Sequence, residues 1–272
     1  MKNESRRPAG LTVYMQNRDS YRRSHAAPEA GRVYDRTHEV GYYAALWRKI
    51  EKPLLRAVLR ELGGPQRKCL DFACGTGRIT NVAADYFGQV VGVDVSSTML
   101  MRARDAHNVR LRQMDITREP LGETFDVITA FRFFLNAEQQ LREEALEAMR
   151  KHLNPAGRLV CNIQMNATSP IGVASRLANR LPGSEVRNTM SADELTALLK
   201  SAGLIVEHVT GYGYLPRPGN LLPRVCEAFI TPAERIASAL RTPARFAQQL
   251  LFVAKRLRYY CDVRRRSGRD YA

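Results

Sequence analysis

Cys69-Leu70-Asp71-Phe72-Ala73-Cys74-Gly75-Thr76-Gly77-Arg78 reads as a short apolar strand carrying one acid, then a glycine turn, then the opening of a helix. The helix is marked by Ile79, Val82, Ala83 and Tyr86 at helical spacing. Glycine at 75 and 77 admits backbone conformations closed to other residues and lets a ligand approach closely. The helix that follows presents N–H groups with no partner inside it. In a chain that alternates strands and helices, such a turn points to a bound nucleotide-like cofactor.

Working outward, short strands alternate with helices. Strand 1 is expected over Lys68 to Ala73, with its helix closing at Gly88. Strand 2, Val90 to Val93, ends on Asp94 and precedes a helix near Ser97 to Ala106. Strand 3, Val109 to Met114, ends on Asp115. Strand 4, Phe125 to Ala130, precedes a helix of Glu138 to Leu153. Asn154-Pro155-Ala156-Gly157 is a turn by composition, and strand 5 follows at Leu159 to Met165. Ser191-Ala192-Asp193-Glu194 is a capping box opening a helix stopped by Gly203, before strand 6 at Leu204 to Thr210. Leu250 to Ala254 reads as strand 7. The pattern is α/β, with a parallel sheet and helices on both faces.

The flanks differ from this core. Residues 1–32 are polar and Arg/Ser-rich, as in a mobile basic arm, and 33–64 carry helical apolar spacing in which Pro53 breaks or begins a second helix. Between strands 6 and 7 lies an insertion, 211–249, with helical spacing from Leu222 to Leu240. Residues 257–272 form an Arg/Tyr tail that includes Arg264-Arg265-Arg266. Residues 65–256 are read as the main domain.

With 272 residues, 44% of them hydrophobic, the chain can bury one sizeable core. Met1 to Arg7 lacks the apolar region of a secretory signal, and no apolar run approaches the roughly 20 residues that span a bilayer. A cytoplasmic location is expected, with peripheral contact at the inner membrane face open. The five cysteines contain no C-x-x-C pair, so buried reduced thiols are expected and no metal site. The net charge of +15 is unevenly spread: +8 over 1–68, −1 over 69–165 and +8 over 166–272. A neutral core with basic flanks attracts anionic partners, whether a small molecule, acidic lipid or nucleic acid.

Three features meet at the carboxyl ends of consecutive strands, where open α/β sheets bind ligands. They are the glycine turn, Asp94 with reach for both ribose hydroxyls, and Asp115 with Ile116 beside a purine edge. Together they outline an adenosine. Thr80 stands where a dinucleotide fingerprint would have its third glycine, which argues against a nicotinamide or flavin enzyme, and no P-loop is present.

On these residues the chain resembles the class I S-adenosylmethionine-dependent methyltransferases of small-molecule type. The similarity runs through Leu70 to Arg78, Val91 to Leu100, Met114-Asp115-Ile116, Phe125 to Phe131 and Leu153 to Leu159. It implies a Rossmann-like three-layer sandwich around a seven-stranded, mostly parallel sheet with an antiparallel last strand, and S-adenosyl-L-methionine as cofactor. It implies that backbone around Ala73, Cys74 and Gly75 holds the methionine moiety near Asp71, that Asp94 takes the ribose hydroxyls, and that Gly77 and Val95 also belong to the cofactor site. Met99 would then pack on the adenine, Asp115 and Ile116 would read its edge, and Phe131 would line the passage to the methyl group. The reaction it implies is an in-line displacement onto an O, N or C atom, in which alignment and exclusion of water are the protein's main work.

No general base stands out. The stretch after strand 4, Arg132-Phe133-Phe134-Leu135-Asn136, has no histidine, which leaves His38 as the candidate if the N-terminal region folds over the site. Substrate contacts are expected from Tyr34, Tyr42, Arg132, Tyr212 and Tyr214. The acceptor is expected to be a small molecule, anionic or membrane-associated. The alternatives are an RNA or protein methyltransferase using the basic flanks, or a scaffold that keeps the fold without catalysis. The sequence leaves the oligomeric state open.

Overall fold

A computed structural model describes residues 41–104, 106–180, 188–215 and 223–257. Tyr34, His38, the arm, and the tail beyond Leu257 lie outside the described residues. Seven strands form one sheet in the order β3-β2-β1-β4-β5-β7-β6. They are β1 (Gly64–Phe72), β2 (Phe87–Asp94), β3 (Val109–Gln113), β4 (Phe125–Ala130), β5 (Leu153–Ile163), β6 (Leu204–Tyr212) and β7 (Gln249–Arg256). The first five pair in parallel, and β7 lies antiparallel between β5 and β6. The sheet is therefore the one that the resemblance implies.

Side chains alternate across the strands, and each face buries its own apolar cluster. Leu70, Phe72, Val91, Val93, Ile128, Leu159, Leu250 and Phe252 point to one face, covered by α5 (Gln139–His152) and α7 (Ala192–Ser201). Cys69, Val90, Val127, Val160, Leu251 and Val253 point to the other. That second face is covered by α1 (Tyr42–Leu46), α2 (Lys52–Leu62) and α3 (Arg78–Ala83), with Ile230 of α8 (Pro223–Ala239) joining them. Each fully buried aliphatic or aromatic side chain contributes about 1.5–3 kcal/mol. Cys69, Cys74 and Cys161 are buried free thiols. No helix among the described residues is long and apolar enough to cross a membrane.

Three local expectations need correction. The helix after the glycine turn ends at Ala83 rather than Gly88, because buried Phe87 and its neighbour already belong to β2. The helix expected over Ser97 to Ala106 is one turn only, α4 (Ser97–Leu100), after which the N–H groups of Arg102 and Ala103 bond three residues back. Asn154 to Gly157 is no free turn: it lies within β5, where the register against β4 shifts between Phe125 and Val127. A bulge there accommodates Pro155, which lacks an N–H, while Asn154 Nδ2 donates to Asp126 Oδ1 (2.9 Å). After β5 comes α6 (Pro170–Ala178), and the capping box of α7 is present, with Ser191 Oγ accepting from the N–H of Glu194.

The N-terminal helices join through a π-helical turn, Trp47–Glu51, between α1 and α2. Pro53 follows directly on the π-turn, where the backbone stays helical through Glu51 and Lys52 into α2.

Candidate active site

The turn between β1 and α3 is built on three residues with positive φ: Ala73 (+53°), Gly75 (+56°) and Gly77 (+75°). Gly77 caps α3 in the left-handed conformation, and a Cβ there would lie 2.8 Å from Ala103 Cβ. Its smallness lets two segments touch. Gly75 is different: nothing lies within 4 Å of where its Cβ would stand. Its backbone is bare toward open space, which is what a closely approaching ligand needs.

Asp94, at the end of β2, is 8% exposed and braces this turn. Its Oδ2 accepts the Gly75 N–H (2.8 Å) and its Oδ1 accepts the Ser96 N–H (2.8 Å). Each carboxylate oxygen accepts more than one hydrogen bond, so the same group can also take hydroxyls of a ligand. Asp115 follows β3 and folds into a turn of its own, its Oδ1 accepting from Thr117 N–H (3.0 Å) and Oγ1 (2.7 Å).

A narrow crevice opens along these strand ends. Ala73, Asp94, Val95, Asp115 and Ile116 line it, as does Thr117. Its apolar walls are Phe72, Val93, Met114, Phe133 and Leu141. Mostly apolar walls with a few convergent polar groups are what small-molecule sites present.

Residues 69–157 match the methyltransferase domain family. This part of the chain is a class I methyltransferase domain. Among curated relatives, the cypemycin N-terminal methyltransferase of a Streptomyces species is 35% identical over 96 residues, 34% of this chain and 39% of the relative. The dTDP-3-amino-3,6-dideoxy-alpha-D-glucopyranose N,N-dimethyltransferase of Streptomyces fradiae is 33% identical over 109 residues, 39% of this chain and 43% of the relative. The chain thus spans about two fifths of the length of these relatives. Magnesium protoporphyrin IX methyltransferase from Synechocystis PCC 6803, solved with bound S-adenosylhomocysteine, shares the fold. Its TM-score is 0.58 at 15% identity, covering 86% of this chain and 97% of that one.

Within the methyltransferase domain, several expected site residues stand apart from the crevice. Asp71 is buried, with Oδ2 accepting from Thr80 Oγ1 (2.6 Å) and Oδ1 from Thr129 Oγ1 (2.7 Å). It ties the glycine turn's helix to β4, and burial pushes its carboxyl up to about 6. Cys74 is buried too, its N–H donating to the Val93 carbonyl (3.0 Å), and burial raises its thiol well above the ordinary range. Met99 is buried on α4 and does not line the crevice. Phe131 packs into the cluster on the opposite face, and Phe133 lines the crevice instead, edge-on to Phe72 (4.8 Å between centroids). Arg132 explains the switch: its φ of +61° reverses the alternation that would otherwise carry on from β4.

The expected substrate residues are held by the fold. Tyr42 Oη reaches the Leu215 carbonyl (3.1 Å) and Gln248 Oε1 (3.2 Å), and Tyr214 Oη donates to the Thr242 carbonyl (3.1 Å). Arg132 and Tyr212 join a buried polar group that sequence reading missed. Glu51, 2% exposed at the end of the π-turn, pairs with Arg132 Nη2 (3.1 Å) through Oε2. Its Oε1 accepts from Tyr212 Oη (3.0 Å) and Asn162 Nδ2 (3.2 Å), and Asn162 Oδ1 accepts the Arg132 N–H (2.8 Å). Burial and the Glu51 charge push the Tyr212 phenol well up, so it stays a neutral donor. This group joins the N-terminal helices to the carboxyl ends of β5 and β6. Nearby, the Arg78 guanidinium lies 4.6 Å from the centre of the Trp47 ring, fastening the π-turn to the start of α3.

Proposed function

We propose that the chain is an S-adenosylmethionine-dependent methyltransferase acting on an anionic small molecule that carries an amine. The observation that carries the reading is the pairing of bare backbone at Gly75 with the Asp94 carboxylate, at one end of a crevice that continues to Asp115 and Ile116. These features fit an adenosyl cofactor. Gly75 and Ala73 would hold its amino-acid end, Asp94 its ribose, and Asp115 with Ile116 its base. When bound, the cofactor supplies a methyl group activated on a sulfonium.

The remaining work falls to this chain. Phe72, Val93, Phe133 and Leu141 exclude water from the crevice, and Asp94 orients by accepting hydroxyl hydrogen bonds. Among the described residues no histidine lines the crevice. His152 is buried elsewhere, against the Glu123 carbonyl (2.9 Å) and the Leu121 N–H (3.5 Å). An amine that arrives deprotonated needs no base, so a nitrogen acceptor suits this site better than an alcohol. Of the two relatives described above, one is an N,N-dimethyltransferase and the other an N-terminal methyltransferase. The excess of basic residues over both flanks favours an anionic acceptor.

Asp94→Ala should weaken binding of S-adenosylhomocysteine at least about tenfold, since truncation removes a charged acceptor worth about 1.5–3 kcal/mol. Isothermal titration of wild type and variant measures this. Equal affinities, or no binding by the wild type, would defeat the assignment.

A further inference from the structure

We infer that the outer face of α8 is a docking surface for an anionic lipid bilayer. Val225, Phe229, Ile236 and Leu240 recur at spacings of four and seven from α8 into the residue just beyond it, so they form one stripe. All four are exposed; Phe229 at 58%, Ile236 at 60% and Leu240 at 74% are large apolar side chains turned to solvent. Scattered exposed apolar residues are ordinary, but an aligned set on one helix is a patch that a partner can cover.

The charges of the helix are sorted in the same way. Its two acids are both engaged away from the stripe: Glu227 forms a surface ion pair with Arg48 (2.7 Å), and Glu234 accepts the Tyr214 N–H (2.8 Å). Ile230 and Ala237 are buried. On the solvent side, the exposed charges of α8 and the turn after it are Arg235, Arg241 and Arg245, with exposed Phe246 beside the last. Among the described residues, an apolar stripe that has no unpaired acid beside it and whose fully exposed charges are cations is complementary to a surface with acyl chains below and negative headgroups above. A protein partner of ordinary composition would not need that one-sided sorting. The inference does not rest on methyl transfer.

Vesicle co-sedimentation of the full chain tests it, with phosphatidylcholine alone or with about 30 mol % phosphatidylglycerol. Wild type should bind the anionic vesicles at least about tenfold more tightly than the neutral ones, and the difference should shrink in high salt. Phe229→Asp with Ile236→Asp should lose at least about tenfold in binding, since each change removes buried apolar area and adds repulsion. Titration with S-adenosylhomocysteine checks that this double variant keeps its fold and, separately, its cofactor site. Absence of vesicle binding, equal binding to both vesicle types, or unchanged binding by the double variant would overturn the inference. So would a wild-type dimer that the double variant converts to monomer, since a second copy would then own the stripe.

Discussion

Gly75 has φ +56°, with open space where a side chain would begin. Gly75→Ala therefore costs the fold only the left-handed strain, about 1–2 kcal/mol, while placing a methyl group on the surface that a ligand must approach. Thermal unfolding should show a folded protein with a modestly lower midpoint, and calorimetry should show S-adenosylhomocysteine affinity down by about tenfold or more. Retained affinity would mean that the ligand lies elsewhere. Asp71 gives a second test at this scale. Its folded carboxyl titrates at about 6 against an ordinary 3.8, because burial outweighs the two threonine hydroxyls. The folded state thus holds its proton more tightly than the unfolded chain. Its contribution to stability is full below pH 3.8 and falls as pH rises toward 6, by about 3 kcal/mol in all. Asp71→Asn does not titrate, so denaturant melts should show the variant gaining on wild type by that order between pH 4 and 7. A difference that stays constant with pH would refute the shift.

The π-turn is the element that sequence reading could not reach. Nothing in Trp47 to Glu51 marks an extra residue in the helix, yet the wider turn ends with Glu51 buried in contact with β5 and β6 residues. Glu51→Ala removes the carboxylate that faces Arg132, Asn162 and Tyr212, so it should destabilise by about 3 kcal/mol or more. Chemical denaturation measures it; a cost below about 1 kcal/mol would show that the N-terminal helices are only loosely attached. Other elements were legible for definite reasons. Strand 4 was read with its observed bounds because Phe125 to Ala130 alternates between two buried faces. Asp94 and Asp115 stand at the strand ends where the sequence put them, because each acid ends an apolar run and must meet a partner. Phe133 was missed as a crevice residue because the resemblance pointed to Phe131, and the positive φ of Arg132, which turns Phe133 to the crevice face, carries no sequence mark. Asn154 to Gly157 misled because turn composition also suits a bulge.

For the whole molecule, fold and candidate crevice lie in the neutral middle of the chain, whereas the basic residues lie mostly on either side of it. The crevice was readable because backbone geometry and two acids define it. The acceptor side was not, because its tyrosines and Arg132 are held within the fold and reveal no ligand. The vesicle experiment belongs at this scale, since the sorting of charge around α8 becomes visible only once the helix is folded against α1.

The position of β7 governs how the sheet can be finished. It is the last strand in the chain but sits between β5 and β6, bonded to both. While the chain is still emerging from the ribosome, β6 has no neighbour and β5 keeps one edge bare. Only release of residues 249–256 closes the gap, so a nascent chain halted before them would carry two sticky strand edges and be a target for chaperones and proteases.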